Sequence, residues 1–177
     1  ITNAALMQLP NSCFVALTNM FNGILRTGHF PETWKIGKVI ALPKPGKDRR
    51  RPESYRPITL LPHIAKLFER LLLRRLAPHL PLREEQFGFR SSHSTTLQLT
   101  RVLSYLASEK NRGQHTVGVF LDMEKAFDRV WHAGLLAKLL RTTAPPAIVR
   151  VVASFLEGRS YYVSVEDAVS QPRPIRA

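Results

Sequence analysis

The chain has 177 residues, 44% of them hydrophobic, which is enough for one ordinary domain with its own core. Lys and Arg number 26 against 13 acidic residues, and this charge of +13 repels itself unless anions are near, so a polyanionic partner is expected. The lone Cys13 excludes an internal disulfide framework and fits a reducing compartment, the six histidines lack ligand-like spacing for zinc, and no apolar run reaches the ~18 residues of a membrane span.

Residues 11–27 carry Phe14, Leu17, Phe21 and Ile24 at helical spacing. This predicts an amphipathic helix, with Cys13 as a small buried residue and Gly28 stopping the helix in a left-handed conformation. His29-Phe30-Pro31 turns the chain into Trp34, and Lys38–Leu42 reads as a short strand closed by Pro43. Residues 43–57 interleave Lys44, Lys47, Arg49, Arg50, Arg51 and Arg56 with Pro43, Pro45, Gly46 and Pro52. Proline and glycine preclude a regular helix there, which leaves a basic loop or hairpin.

The next helix is predicted from about Pro62 to Leu76, with Ile64, Leu67, Phe68, Leu71 and Leu72 as its buried stripe. Arg70, Arg74 and Arg75 lie near the opposite edge, and Pro78 and Pro81 end the helix. After the loop Gln86–Arg90, Ser91–Ser94 supply caps for a helix that carries Thr96, Leu99, Leu103 and Leu106 on one face and ends at Gly113. Thr116–Leu121 reads as a buried strand closed by Asp122. A helix from about Lys125 to Leu140, another opened by Pro145-Pro146, and a last strand over Tyr161–Val165 complete the chain. Alternating helices and strands imply a layered α/β or α+β fold.

The segment Val119-Phe120-Leu121-Asp122-Met123-Glu124-Lys125-Ala126-Phe127-Asp128 carries the chemistry. A carboxylate is costly inside an apolar strand, but the end of a strand opens onto solvent. There Asp122 is a candidate ligand for a hard divalent cation such as Mg²⁺, which prefers oxygen. The same residue also suits the N-cap of the following helix. Asp128 reads as a structural carboxylate pairing with Arg129 or Lys125. Lys44 and Arg56 are candidate phosphate binders on a flexible loop, or else solvated charges. Phe87 and Phe89 either stack on bases or pack around Gly88.

This segment resembles the first catalytic motif of reverse transcriptases, an aspartate followed five residues later by an aromatic and then by Asp. Trp34-Lys35 through Val39-Ile40 and Lys44-Pro45 resembles the opening fingers motifs of non-LTR (LINE-type) retrotransposon enzymes. Ser54-Tyr55-Arg56-Pro57-Ile58-Thr59-Leu60 resembles the second motif, and Gln86-Phe87-Gly88-Phe89-Arg90 the insert before the palm. Four blocks in family order span roughly residues 25–140, and the jockey-like branch is the nearest in kind.

The resemblance implies a helix-rich α+β chain made of right-hand polymerase fingers and the beginning of the palm. Residues 1–115 would be the fingers region and the approach to the palm, and 116–177 the start of the palm. It further implies that Asp122 and the backbone carbonyl of Met123 bind Mg²⁺, and that Lys44 and Arg56 hold the triphosphate. Phe127 would exclude a 2′-hydroxyl, and Arg90, with Lys47, Arg49 and Arg50, would lie against nucleic acid. RNA template, DNA primer and deoxynucleoside triphosphates are the implied partners, in the nucleus or cytoplasm.

The family's glycine-proline-glutamine-glycine turn and aromatic-Ala-Asp-Asp hairpin do not occur in this sequence. With Ile1 at one end and Ala177 at the other, the chain reads as a fragment without polymerase activity of its own. The alternatives are a non-catalytic, basic nucleic-acid-binding module from a decayed element, and another palm-type polymerase such as a group II intron maturase. Phe127 argues against an RNA-making enzyme.

Overall fold

The computed structural model describes residues 4, 7–123, 126–127 and 129–175. They form two compact units, Ile1–Leu80 with Arg129–Ala177, and Pro81–Asp128. Helices and a five-stranded sheet give an α+β architecture.

In the larger unit α1 spans Asn11–Thr27 and ends as expected, with Gly28 at φ 74° and its N–H bonded to the Ile24 carbonyl. Phe21 and Ile24 are buried, whereas Phe14 is exposed because the described residues cover the first turns only in part. Cys13 is half-buried rather than a core residue, for the same reason. The chain then enters β1, Ile36–Pro43, which pairs antiparallel with β2, Tyr55–Leu60. The basic segment is therefore the connection of a hairpin. Gly37 is required at the base of this pair, since a Cβ there would overlap the Thr59 methyl.

The helix α2 spans His63–Leu76, α4 His132–Leu140 and α5 Pro146–Leu156; a further helix, α3, lies in the smaller unit at Thr95–Asn111. Strand β3, Ser160–Val165, runs parallel to β1 and brings the two ends of the chain into one sheet. Two short strands not foreseen from the sequence flank it, β4 (Ala168–Val169) and β5 (Arg173–Pro174), both antiparallel to β3. Each has two residues, too few to show a periodic pattern.

The core is aromatic. Phe21, Phe30, Phe68 and Val151 are buried together, with Trp34 and Phe155 against them. Ring centroids lie 5.2 Å apart for Phe21 and Phe68 and 5.0 Å for Phe30 and Phe155, within the range of favourable aromatic pairs. The turn before β1 is tied to α5, where the Phe30 N–H donates to Ser154 Oγ at 2.9 Å. Lys35 is buried and is satisfied by Glu32 Oε1 at 2.7 Å. A second cluster, Leu139, Ala144 and Val149, joins α4 to α5. Of the stripe expected on α2, Phe68 is fully buried, Ile64, Leu67 and Leu72 are partly so, and Leu71 is exposed.

In the smaller unit α3 starts at its expected cap, with Ser94 Oγ accepting from the Leu97 N–H at 3.2 Å. Leu99 and Leu103 stay exposed, and α3 has no buried residue. The buried strand expected at Thr116–Leu121 is absent, and these residues have no strand partner among the described residues. Phe120 and Leu121 are 93% and 92% exposed. A β-branched run becomes a strand only when a neighbour takes up its backbone groups, and without one the same sequence stays open to solvent. The helix expected from about Lys125 is first described at His132, and Glu124, Lys125 and Asp128 lie outside the described residues.

Candidate active site and nucleic-acid interface

The candidate residues divide between the two units. Lys44, Lys47, Arg49, Arg50 and Arg56 belong to the larger one, and Arg90, Asp122, Met123 and Phe127 to the smaller.

The hairpin connection is held by its own polar groups. The Lys44 N–H donates to the Ser54 carbonyl at 2.7 Å, and Lys44 Nζ donates to the Glu53 carbonyl at 2.8 Å. Tyr55 Oη donates to the Arg49 carbonyl at 2.9 Å, and Asp48 Oδ1 accepts from the Arg50 N–H at 3.0 Å. Gly46 takes φ 69° in the turn. Lys44 is thus a loop-closing residue in this structure, and gripping a phosphate would mean exchanging its bond to Glu53. Lys47, Arg49 and Arg50 are exposed, and the hydrogen bonds of all three are made by their backbone groups among the described residues.

Arg56 stands on β2 opposite Leu42, and Ile58 lies opposite Ile40. Alternation along both strands puts Arg56, Leu42, Ile58 and Ile40 on one sheet face. The arrangement offers a planar, fork-shaped phosphate donor at the edge of an apolar surface.

Asp122 is exposed, and no described neighbour buries it among apolar groups. Its carboxylate and the Met123 carbonyl are hard oxygen donors, of the type Mg²⁺ prefers. Among the described residues no three His, Cys, Asp or Glu side chains gather closely enough to hold a metal by themselves. A single carboxylate still fits, because Mg²⁺ commonly uses one or two carboxylates and completes its shell with waters and substrate phosphates.

Phe127 is 78% exposed and meets Phe89 edge to face, with centroids 5.9 Å apart and planes at 90°. Phe89 has φ 58°, a left-handed conformation that is costly for a bulky residue. Such strain in an exposed aromatic marks a position where geometry outweighs local preference. Between its two readings, Phe89 is therefore solvent-facing, while Phe87 is half-buried, 4.9 Å from the His93 ring. Arg90 turns back on its own loop and donates from Nη1 to the Arg83 carbonyl at 3.1 Å.

Sequence reasoning missed Arg101, whose guanidinium carbon lies 5.7 Å from the Phe87 ring centroid. A cation over an aromatic face is a stabilising pair, but its partners are far apart in sequence and no local pattern announces it.

Residues 42–175 match the family model described as reverse transcriptase (RNA-dependent DNA polymerase). Over its whole length the chain is 41% identical to the RNA-directed DNA polymerase from mobile element jockey of Drosophila melanogaster. It is 40% identical, again over its whole length, to the probable RNA-directed DNA polymerase from transposon X-element of the same fly. The chain covers 20% of each of these relatives. Against the Pol polyprotein from type-1 retrotransposable element R2 of Popillia japonica the identity is 31%, over 66% of the chain and 16% of that relative.

Proposed function

The chain belongs to the reverse-transcriptase family of RNA-dependent DNA polymerases, and from that premise we propose that it contributes the fingers and the start of the palm to the polymerase of a non-LTR retrotransposon. It spans about a fifth of the curated relatives it matches. Residues 1–115 form the fingers and the approach to the palm, and 116–177 begin the palm. In the parent protein the reaction is the addition of deoxynucleotides to a primer 3′-hydroxyl, directed by an RNA template.

The single observation that carries this reading is the pairing of an exposed carboxylate, Asp122, with an exposed aromatic, Phe127, five residues on. Asp122 and the Met123 carbonyl would hold Mg²⁺, and the chemistry it would supply is activation of an attacking oxygen and neutralisation of phosphate charge. Phe127 presents its ring to the sugar and rejects a 2′-hydroxyl. Arg56 offers a bidentate fork to phosphate, and Lys44 a point charge once released from Glu53. Lys47, Arg49, Arg50 and Arg90 neutralise the nucleic-acid backbone. Because phosphoryl transfer is mostly positioning and electrostatic stabilisation, these roles ask nothing covalent of the protein.

The test is RNA-templated primer extension by the parent protein, with deoxyribonucleotides and ribonucleotides supplied separately. Phe127→Val is expected to raise ribonucleotide incorporation roughly tenfold or more relative to wild type. An unchanged preference would remove Phe127 from the sugar site. In the same assay the 177-residue chain alone is expected to give no extension, since two-metal catalysis takes more carboxylates than Asp122 supplies.

A second reading, a non-catalytic nucleic-acid-binding module, is favoured by the engagement of Lys44 and Arg90 within their own loops. Under that reading Phe127→Val leaves the parent without extension in either nucleotide, as it is before mutation.

A further inference from the structure

Beyond the residues assigned above, the larger unit carries a groove along α4. Its volume is about 450 Å³, and Trp131, Gly134, Leu135, Lys138 and Arg141 are among its lining residues. Three features distinguish it from an ordinary exposed helix face.

Trp131 is 77% exposed although it is the largest side chain type, and such residues are normally covered. Its ring nonetheless lies across Gly134, which is buried beneath it. Any Cβ at 134 would overlap the ring, so glycine is the residue that lets the indole lie there. Glycine inside a helix costs roughly 1 kcal/mol relative to alanine, and here that cost accompanies a pre-positioned aromatic platform.

Lys138 and Arg141 stand about two and three turns beyond Trp131 along the same helix stripe, both exposed, at the end of α4. The stripe from Trp131 to Arg141 is about 15 Å long at helical rise. Among the described residues no acidic side chain lines the groove. A flat aromatic face followed by two cations complements a flat, uncharged ring attached to an anionic backbone. An apolar protein segment would match the indole but leave both cations unanswered.

We infer that this groove is a binding site for a single-stranded RNA segment, with an unpaired base stacked on Trp131 and the adjoining phosphates on Lys138 and Arg141. Stacking on an exposed aromatic beside a basic track is how sequence-tolerant single-strand sites work. The choice of RNA over DNA rests on the proposed function, whereas the choice of an unpaired strand rests on the groove itself. The described lining of the groove shares no residue with the candidate site residues assigned above.

The 177-residue chain has two tryptophans, Trp34 packed against the core and Trp131 in the groove, so intrinsic fluorescence reports on the site. Titration with oligouridylate is expected to quench the emission, and the quench is lost in Trp131→Phe if Trp34 is the remaining emitter. Trp131→Ala is expected to weaken binding about tenfold. Lys138→Glu with Arg141→Glu, both exposed and outside the core, is expected to lower the slope of log affinity against log salt by about 1.4, the share of two phosphate contacts. This pair carries the test if the alanine variant does not fold.

Binding without any change in tryptophan emission, or a salt slope unaltered by the double charge reversal, would overturn the site. A duplex RNA of equal length competing as well as oligouridylate would overturn the unpaired-strand assignment. Oligothymidylate binding tenfold tighter than oligouridylate would overturn the choice of RNA while leaving the quench. Asp122→Ala is expected to leave the quench unchanged, so failure of the groove and failure of the polymerase reading give different results.

Discussion

Helices α2 and α3 have similar apolar spacing and different fates. In α2, Phe68 meets Phe21 and Phe30, and the stripe becomes the centre of the larger unit's core. In α3, Leu99 and Leu103 meet no buried neighbour among the described residues and stay exposed, although the helix is capped at Ser94 and regular to Asn111. Local signals therefore suffice to start and stop a helix, but burial depends on a second segment with a matching face. The same holds for strands. Tyr55–Leu60 is paired because Ile36–Pro43 lies beside it, whereas Thr116–Leu121 is not paired among the described residues.

The contrast is sharpest in core truncations. Phe68→Ala is expected to destabilise the chain by about 3–5 kcal/mol, and Leu103→Ala by no more than about 0.5 kcal/mol, both measured by urea denaturation. Equal costs would mean that α3 is covered in solution. A smaller effect is expected where two backbones meet. Gly37→Ala should cost about 1–3 kcal/mol by overpacking against Thr59, and Thr59→Ser, which removes the opposing methyl, should recover much of it. No recovery would place the strain elsewhere.

The smallest effect is electrostatic. Burial pushes the Glu69 carboxyl above the usual carboxylate range, and the charges of Arg159 and Lys66 oppose that shift only in part. Glu69 Oε1 has no hydrogen-bond partner among the described residues, which fits a carboxylate that is poorly compensated. A raised folded pKa means that the folded state holds a proton the unfolded state has released. Stability from this group is therefore present at low pH, falls as pH rises through the interval between the two pKa values, and is lost above the folded one. Glu69→Gln should raise Tm near neutral pH and change nothing below about pH 4. A fall in Tm at neutral pH would show that the pair with Arg159 outweighs desolvation.

Much of the larger unit was legible because its signals are local. The run from Asn11 to Thr27, Gly28 as its stop, Pro43 closing a strand, and Pro146 opening α5 each follow from one residue's conformational preference. The exposure of Phe14 and the missing strand at Thr116–Leu121 were not legible, since both depend on a partner elsewhere in space. In the candidate site the residue types were readable and their engagement was not. That Lys44 closes the loop at Glu53 and that Arg90 returns to Arg83 follow from loop conformations with no periodicity to read. The glycine beneath Trp131 was in plain view, but its meaning required seeing where the indole lies.

Asp122 is the residue on which the polymerase reading depends most, and substituting it in the parent protein tests that reading most directly. Wild-type parent and Asp122→Ala would be compared in RNA-templated primer extension with Mg²⁺, alongside their affinity for the template. The expected result is loss of extension below detection with RNA affinity unchanged or slightly raised, since one negative charge is removed. Extension by the Asp122→Ala protein at a rate comparable to wild type would contradict it.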